Sequence, residues 1–341
     1  MKKKIVSLAL QGGGSHGAFT WGVLDRLLED RRIEIDGISG ASAGAMNAVV
    51  LAHGYTVGGR KGAREALKTF WESVASAAFF TVVPGANATA ETIDAEARPT
   101  PAFKALLAMA RFVSPYQFTP FELDPLRDLL EQQIDFERLR AKCPIRLFIA
   151  TTRVTTGTLR LFRNKQLTID VLLASACLPS IQRAVEIDGE PYWDGGLAAN
   201  PPIFPLVHRC PARDIVVVTL NASRRPDIPK TSDEISHRLN EISFGSTFFT
   251  ELQALALATR EAEQSMFPVG RLERRLRHLK LHLIDAEELM SRLSTMSRLN
   301  THPAFLEALR DEGRERAGAW LEENFRFLGE QSSFRLDGFL R

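Results

Sequence analysis

The sequence predicts an α/β protein with a mainly parallel central sheet, because its first fifty residues contain two strand–turn–helix units. The aliphatic and β-branched run at residues 5–11 stops at three glycines, and apolar residues then recur at helical spacing from Ser15 onward. Residues 33–38 form a second such run, which passes through small residues at 39–44 into an apolar helix. Repeated strand, tight turn and helix is the pattern from which parallel sheets are built.

The β-pattern resumes after about residue 136 and continues almost to the end of the chain. Strands are predicted at 145–151, 159–162, 215–220 and 279–285, and helices at about 246–264 and 304–325. Residues 215–220 show no polar alternation, which indicates a strand buried on both faces. Both ends of the chain supply strands suited to one sheet, so we predict a single domain over 1–330. It includes a C-terminal helical and strand region at about 239–330, and a tail follows at 331–341.

Residues 54–136 differ from this pattern and predict a helical insert that forms a cap or lid. Its apolar and aromatic residues suit either a channel for an acyl chain or a separate hydrophobic core of the cap, and the sequence leaves both interpretations open. The aromatic side chains concerned are Phe79, Phe80, Phe112, Tyr116, Phe118 and Phe121.

Composition excludes several classes of protein. Of 341 residues, 45% are hydrophobic, which is typical of a folded protein. The 43 basic and 41 acidic residues nearly balance, whereas a nucleic-acid binder usually has a clear excess of basic residues. No stretch approaches the roughly 20 apolar residues of a membrane span. The basic start before residue 5 fits a first strand better than a signal peptide, whose apolar core would be longer. Three scattered cysteines fit a reducing compartment, so a cytoplasmic protein is expected, with peripheral membrane contact left open.

The strongest chemical signal is Ser42 in the run Gly40-Ala41-Ser42-Ala43-Gly44, at the junction of a predicted strand and helix. This is the pattern of a nucleophile elbow, in which small neighbours let the two backbones approach closely around a strained serine. The helix that begins here directs free N–H groups toward an oxyanion. Alone, the same residues also fit a small-residue turn with a serine cap.

The second signal is the glycine-rich run from Gly12 to Gly17, at the preceding strand-to-helix junction. Exposed backbone N–H groups at Gly12, Gly13, Gly14 and Ser15 suit an oxyanion hole. The spacing Gly12-x-Gly14-x-x-Gly17 also fits a dinucleotide fingerprint, with Asp36 as the ribose-binding acid, and this would make the protein an oxidoreductase. That interpretation gives no reason for the serine elbow after the second strand.

The third signal is Asp194, which is followed by Gly195 and Gly196. An acid at a strand end, held in a tight turn by two glycines, can take the Ser42 proton directly or through water. By itself, Asp-Gly-Gly is also a common hairpin turn.

Together the three segments resemble the patatin-like family of acyl hydrolases. The resemblance covers residues 5–202 and extends to a weaker element, Ala174 and Ser175 before Pro179. It implies a three-layer α/β/α fold and a Ser–Asp dyad without histidine, which hydrolyses lipid acyl esters through an acyl-enzyme. Ser42 would be the nucleophile and Asp194 the base, and no metal or cofactor would be needed. A non-catalytic lipid-binding protein on the same fold is the other alternative.

One position departs from the family, whose glycine loop usually carries an arginine where this chain has His16. We hypothesise that backbone N–H groups supply most of the oxyanion stabilisation and that His16 at most modulates it. Its alternative role is that of a helix-start residue without a catalytic part.

A conventional hydrolase triad would need a late histidine, and none of the candidates stands in a recognisable context. These candidates are His208, His237, His278, His282 and His302. Ser42 also follows only one βα unit, which favours the dyad. A basic cluster at 271–280 suits either contact with anionic lipid headgroups or a solvated helix face. We expect a lipid or other acyl-ester substrate and no nucleic acid, and we predict neither the headgroup nor the oligomeric state.

Overall fold

The computed structural model describes residues 3–76, 80–81, 88–109, 112–117, 125–221, 228–266 and 270–340. Its strands are β1 Lys4–Leu10, β2 Ile33–Gly40, β3 Phe80–Thr81, β4 Arg98–Pro99, β5 Arg146–Arg153, β6 Leu159–Arg163, β7 Val185–Ile187, β8 Glu190–Asp194, β9 Asp214–Thr219 and β10 Lys280–Asp285. Its α-helices are α1 Gly17–Glu29, α2 Ala43–Ser76, α3 Ala90–Glu96, α4 Pro101–Met109, α5 Pro125–Gln133, α6 Phe136–Lys142, α7 Ile169–Ser175, α8 Phe204–Arg209, α9 Ser232–Gln264, α10 Arg271–Arg277, α11 Glu287–Arg292 and α12 Pro303–Asn324. Short 3₁₀ turns include Gly14–His16, Gly195–Leu197, Thr295–Leu299 and Leu336–Leu340.

The predicted mainly parallel sheet is confirmed. Strands β10, β9, β1, β2 and β5 lie side by side in that order and run parallel, while β6 and β8 pair antiparallel with β5. Every residue of β9 is buried, as its unbroken aliphatic sequence predicts. The carboxyl ends of β1, β2 and β9 therefore meet at one edge of the sheet, which we call the catalytic edge.

Two helical layers cover the sheet, and strand alternation shows that they lie on opposite faces. Leu8 and Leu10 of β1 join a core that also includes buried residues of α1, α2 and α12. Ala9, between them, joins a second core with residues of α8, α9 and α10. The fold is thus a three-layer α/β/α sandwich.

Helix α2 crosses the predicted start of the insert at Gly54. Its helical geometry is interrupted at Gly58 and Gly59, which has φ 60°, so the chain turns back on itself. A Cβ on Gly54 would lie 2.4 Å from the Gly62 carbonyl oxygen, which shows how closely the two arms pack. Trp71, on the second arm, is buried in the first core, so this part of the predicted insert belongs to a main layer of the fold.

Neither interpretation of the insert's aromatic residues, a channel or a core of the cap, gains support from the side chains described there. Phe112 and Tyr116 are exposed. Phe79, Phe118 and Phe121 lie outside the described residues, as does the side chain of Phe80.

The C-terminal region departs from the prediction at two places. Helix α9 begins at Ser232, not near residue 246, because Thr231 and Glu234 form a reciprocal capping box at its start. The predicted start coincided with the point where the helix docks on the core. The predicted tail is also part of the fold, since the Phe334 amide donates to the Leu281 carbonyl oxygen at 3.0 Å. Within the described residues, no helix is long and apolar enough to span a bilayer.

Candidate active site

Ser42 lies at the catalytic edge, between the end of β2 and the start of α2. Its φ of 53° is in the left-handed region, which a side chain other than glycine adopts only under strain. A Cβ on Gly40 would lie 2.6 Å from the Gly44 carbonyl carbon, and one on Gly44 would lie 2.2 Å from the Leu10 carbonyl oxygen. The predicted elbow therefore needs glycine at both positions so that β1, β2 and α2 can converge.

The amide of Ser42 is held by Ser175, the last residue of α7. Both the hydroxyl and the carbonyl oxygen of Ser175 accept from this N–H at 3.1 Å. The Ala174-Ser175 element thus fixes the position of the Ser42 backbone. The Ser42 amide is consequently engaged and is not free to donate to a bound group.

Asp194 ends β8 and is completely buried. Its Oδ1 accepts from the Gly196 amide at 2.7 Å, and Oδ2 has no hydrogen-bond partner within the described residues. Its amide donates to the Cys177 carbonyl oxygen at 2.8 Å, and the Thr152 hydroxyl donates to its carbonyl oxygen at 2.7 Å. The carboxylate is therefore rigidly placed, with one oxygen left for a proton.

Burial raises the pKa of Asp194 to about 7, while the Gly196 amide, which donates to Oδ1, and the nearby Ser42 hydroxyl act to lower it. A carboxyl group with this pKa is half ionised near neutral pH, the range in which a general base both holds and releases a proton readily. The Ser42 hydroxyl is therefore among the groups whose position affects the pKa of this carboxyl.

Strand register explains why Ser42 and Asp194 meet. In β5, Ile149 pairs with Gly40 of β2 and with Phe162 of β6. Thr151 pairs with Asp194 of β8 and again with β6. Because β6 occupies one side of β5 throughout, β2 and β8 share the other side, and β8 takes over where β2 turns away. Gly40, two residues before Ser42, and Asp194 thus lie along the same edge of β5, at levels only two residues, or about 7 Å, apart on that strand.

The glycine loop lies against the elbow, since a Cβ on Gly12 would be only 2.7 Å from the Ser42 Cβ. The Gly12 amide, however, donates to the Asn200 side-chain oxygen at 2.7 Å, so it is not an available oxyanion donor as the sequence predicted. The amides of Gly13, Gly14 and Ser15 have no acceptor among the described residues. The amides of the three remaining predicted donors are therefore unengaged within the described residues.

Two side chains whose roles sequence reasoning missed hold this loop in place. Gln11 accepts from the Leu220 and Asn221 amides at 2.5 and 3.0 Å, and it donates to the Asn200 carbonyl oxygen at 3.1 Å. Asn200 also donates to the Phe244 carbonyl oxygen at 3.1 Å, which connects the loop to α9. Gln11 directly precedes the glycine loop, and Asn200 follows Gly196 by four positions. Nothing in the sequence spacing indicated that these two side chains hold the loop together.

His16 is buried and its Nε2 lies 2.7 Å from the Ser297 hydroxyl. Ser297 donates its own proton to the Ser294 carbonyl oxygen, so Nε2 is the protonated nitrogen of His16 and donates to Ser297. The backbone of Arg298, beside Ser297, also contacts Gly14. These contacts give His16 a role in attaching the glycine loop to the C-terminal region.

The late histidines are placed elsewhere. His282 is fully buried, and its ring nitrogens lie 3.0 Å from Asp214 and 2.9 Å from Ser333. The side chains of His208 and His278 are exposed, and His302 precedes α12. None of these four hydrogen bonds with Ser42 or Asp194 among the described side chains, while the side chain of His237 lies outside that set.

Asp36 does not face the glycine loop. It is the extra residue of a bulge in β2, where its carboxylate accepts from the Ser7 hydroxyl at 2.6 Å and the Ala212 amide at 2.8 Å. The acid that a dinucleotide site requires is therefore engaged inside the fold, away from the loop. Within the described residues, no group of three or more His, Cys, Asp or Glu side chains could hold a metal ion.

Three comparisons with known proteins bear on the family of this chain. None of the curated proteins matches the sequence. The crystal structure of VipD from Legionella pneumophila is similar to this chain, with 17% identity and a TM-score of 0.44, over 95% of this chain and 67% of that one. The family model described as patatin-like phospholipase matches residues 8–207, well over half of the chain and the part that contains the glycine loop, Ser42 and Asp194. The chain therefore belongs to the patatin-like phospholipase family.

Proposed function

We propose that the protein is a serine acyl hydrolase that cleaves lipid acyl esters through a Ser42–Asp194 dyad. One observation carries the proposal: a strained serine lies near a buried carboxylate that has one oxygen without a partner among the described residues. The adjacent amides of the glycine loop complete the set of groups that acyl transfer requires.

In the first half-reaction, Ser42 Oγ attacks the ester carbonyl carbon while its proton passes to Asp194 Oδ2. The carbonyl oxygen becomes an oxyanion, which the Gly13, Gly14 and Ser15 amides stabilise together with the amino end of α2. The intermediate collapses when the ester C–O bond breaks, and the proton on Asp194 moves to the departing alcohol.

In the second half-reaction, water attacks the acyl-enzyme and gives its proton to Asp194. Collapse of the second intermediate breaks the bond to Ser42 Oγ, which takes the proton back and releases the carboxylic acid. The dyad returns to its starting state without a cofactor or a net transfer of electrons.

The proposal is tested by measuring hydrolysis of 4-nitrophenyl butyrate and of phosphatidylcholine by the purified protein. We expect turnover of acyl esters, and its loss in Ser42→Ala and Asp194→Asn. Ser333→Ala and Asp214→Asn are matched controls, since they change a serine and a buried aspartate at the opposite end of the sheet. Full activity of Ser42→Ala would overturn the proposal.

A further inference from the structure

Helix α9 has two parts with opposite environments. From Gly245 onward, Phe248, Leu252 and Leu255 are buried in the second core. Before Gly245, the large apolar side chains Ile235, Leu239 and Ile242 are exposed. Their spacing of i, i+4 and i+7 puts them on a single stripe of the helix, which would normally face a core. Here the stripe faces solvent.

The exposed stripe adjoins the catalytic carboxylate. Phe244, two residues beyond Ile242, lies against Gly196, because a Cβ on Gly196 would be 2.6 Å from the Phe244 ring. At 1.5 Å per residue, Leu239 lies about 8 Å and Ile235 about 14 Å along the helix from this contact. The stripe therefore extends outward from the site itself.

Further exposed apolar side chains follow a second segment that contacts Asp194. The Cys177 carbonyl oxygen accepts from the Asp194 amide, and Ile181 is exposed four residues later. The Arg183 guanidinium in turn donates to the Tyr116 carbonyl oxygen at 3.3 Å, which connects the exposed pair Tyr116 and Phe112 to this segment. We call the whole set the apolar rim; it consists of Ile235, Leu239, Ile242, Ile181, Tyr116 and Phe112.

Charge around the stripe does not favour an anionic partner. Residues 228–243 contain two basic and three acidic side chains, and one pair, Arg238 and Glu241, forms an ion pair at 3.1 Å. The basic cluster at 271–280 lies at the other end of the molecule, since α10 leads directly into the first residue of β10. Arg275 in that cluster is also engaged in the fold, where it donates to three backbone carbonyl oxygens.

We propose that the apolar rim seats the protein on the surface of aggregated zwitterionic or uncharged lipid, with Ser42 and Asp194 facing it. The inference rests on the proposed function, because lipid esters are aggregated in water and a hydrolase that cleaves them has to bring its active site to the surface of the aggregate. Transfer of exposed apolar side chains from water into the lipid interface lowers the free energy of the system, and this favourable change does not depend on anionic headgroups.

Binding is measured first, without turnover, by co-sedimenting the Ser42→Ala protein with phosphatidylcholine vesicles. We expect Ile235→Ser, Leu239→Ser and Ile242→Ser together to lower the partition coefficient about tenfold or more. Leu257→Ser is the matched control, because Leu257 is exposed to 57%, much like Leu239 at 59%, and lies on the same helix in the part beyond the site. Binding should be insensitive to 0.5 M salt.

Three results would overturn the proposal. The unmodified rim could fail to bind phosphatidylcholine vesicles, the triple variant could bind as well as the control, or binding could require phosphatidylserine and vanish in salt. In the last case the basic cluster at 271–280 would be the contact. Circular dichroism melts of the triple variant show whether α9 still docks, because loss of the helix would lower the transition of the whole domain.

Hydrolysis then separates the rim from the dyad. With Ser42 intact, the triple variant should lower the ratio of vesicle hydrolysis to 4-nitrophenyl butyrate hydrolysis about tenfold. Vesicle binding without hydrolysis of any ester would support the role of the apolar rim in lipid binding and would contradict the proposed function. An unchanged ratio in an active enzyme would contradict the rim alone.

Discussion

Two clusters among the described residues pair a serine with a buried aspartate, and they lie at opposite ends of the sheet. At the catalytic edge, the proposed pair is Ser42 and the buried Asp194, and no described histidine hydrogen bonds with either. At the other end, Asp214 at the start of β9 lies 3.0 Å from His282 Nε2, and His282 Nδ1 lies 2.9 Å from the Ser333 hydroxyl. By its residue types alone, the second cluster is the better match to a hydrolase triad.

Hydrogen bonding distinguishes the two. The Ser333 amide donates to His282 Nδ1 at 3.4 Å, so Nε2 carries the proton and donates to Asp214, which also accepts from the Gly329 amide at 2.8 Å. His282 is thus fully buried with both ring nitrogens engaged, and the cluster attaches the end of the chain to the sheet. Asp194, by contrast, retains an unpartnered oxygen beside a strained serine. The satisfied cluster stabilises the fold, whereas the unsatisfied one retains the acceptor oxygen that the proposed reaction needs.

The largest expected difference between the clusters is in activity. Asp194→Asn removes the base and leaves the shape of the site, so we expect ester hydrolysis to fall about 10³-fold or more, as for Ser42→Ala. The initial-rate assay on 4-nitrophenyl butyrate measures this. Activity that survives Asp194→Asn but disappears in His282→Gln would reverse the roles of the two clusters.

The next effect is on pH dependence. With the pKa of Asp194 at about 7, hydrolysis should fall about tenfold per pH unit below 7 and level off above it, because only the carboxylate accepts the Ser42 proton. The pH profile of kcat measures this. A flat profile from pH 5 to 8 would contradict the assignment of Asp194 as the base.

The same pKa predicts a change in stability of known sign. The folded-state pKa is raised above the usual 3.8, so between about pH 4 and 7 the folded state binds more protons and loses stability as pH rises. Glu251 has its pKa raised in the same way, also to about 7, so the comparison has to be with Asp194→Asn and not with wild type alone. The variant should therefore gain stability relative to wild type on going from pH 4 to pH 8.

In the second cluster the expected effect is on folding. His282→Ala leaves buried groups on Asp214 and Ser333 without their partner, which should lower the free energy of unfolding by about 2 kcal/mol. Denaturant unfolding measures the loss, and kcat at a temperature where the variant is folded should stay close to the wild-type value. A large loss of kcat in folded His282→Ala would show that this cluster takes part in catalysis.

The smallest effect is expected at His16, which contacts Ser297. We expect His16→Ala to lower activity less than tenfold, because the loop amides supply the oxyanion donors. Comparison of its kcat with that of Ser42→Ala checks this, and equal losses would show that His16 is essential.

The local parts of the site could be predicted because short motifs specify short-range geometry. Glycines at 40 and 44 and the strand before them predict the elbow, and the family resemblance pairs Ser42 with Asp194. The parallel strands follow from the same unbroken aliphatic runs that the structure buries.

What the sequence could not predict depends on contacts between distant residues. Asn200 removes Gly12 from the oxyanion donors through a bond that spans 188 positions. The start of α9 was missed because the apolar pattern marks where a helix docks, whereas its first turns are exposed. His282 stood in no recognisable context because its partners, Asp214 and Ser333, are 68 and 51 positions away.

The most direct measurement is covalent labelling with a fluorophosphonate, followed by peptide mass spectrometry to locate the modified serine. The dyad predicts one adduct, on Ser42, which forms much more slowly in Asp194→Asn and at the normal rate in Ser333→Ala and His282→Gln. A label on Ser333 that depends on His282, with Ser42 unmodified, would contradict the account.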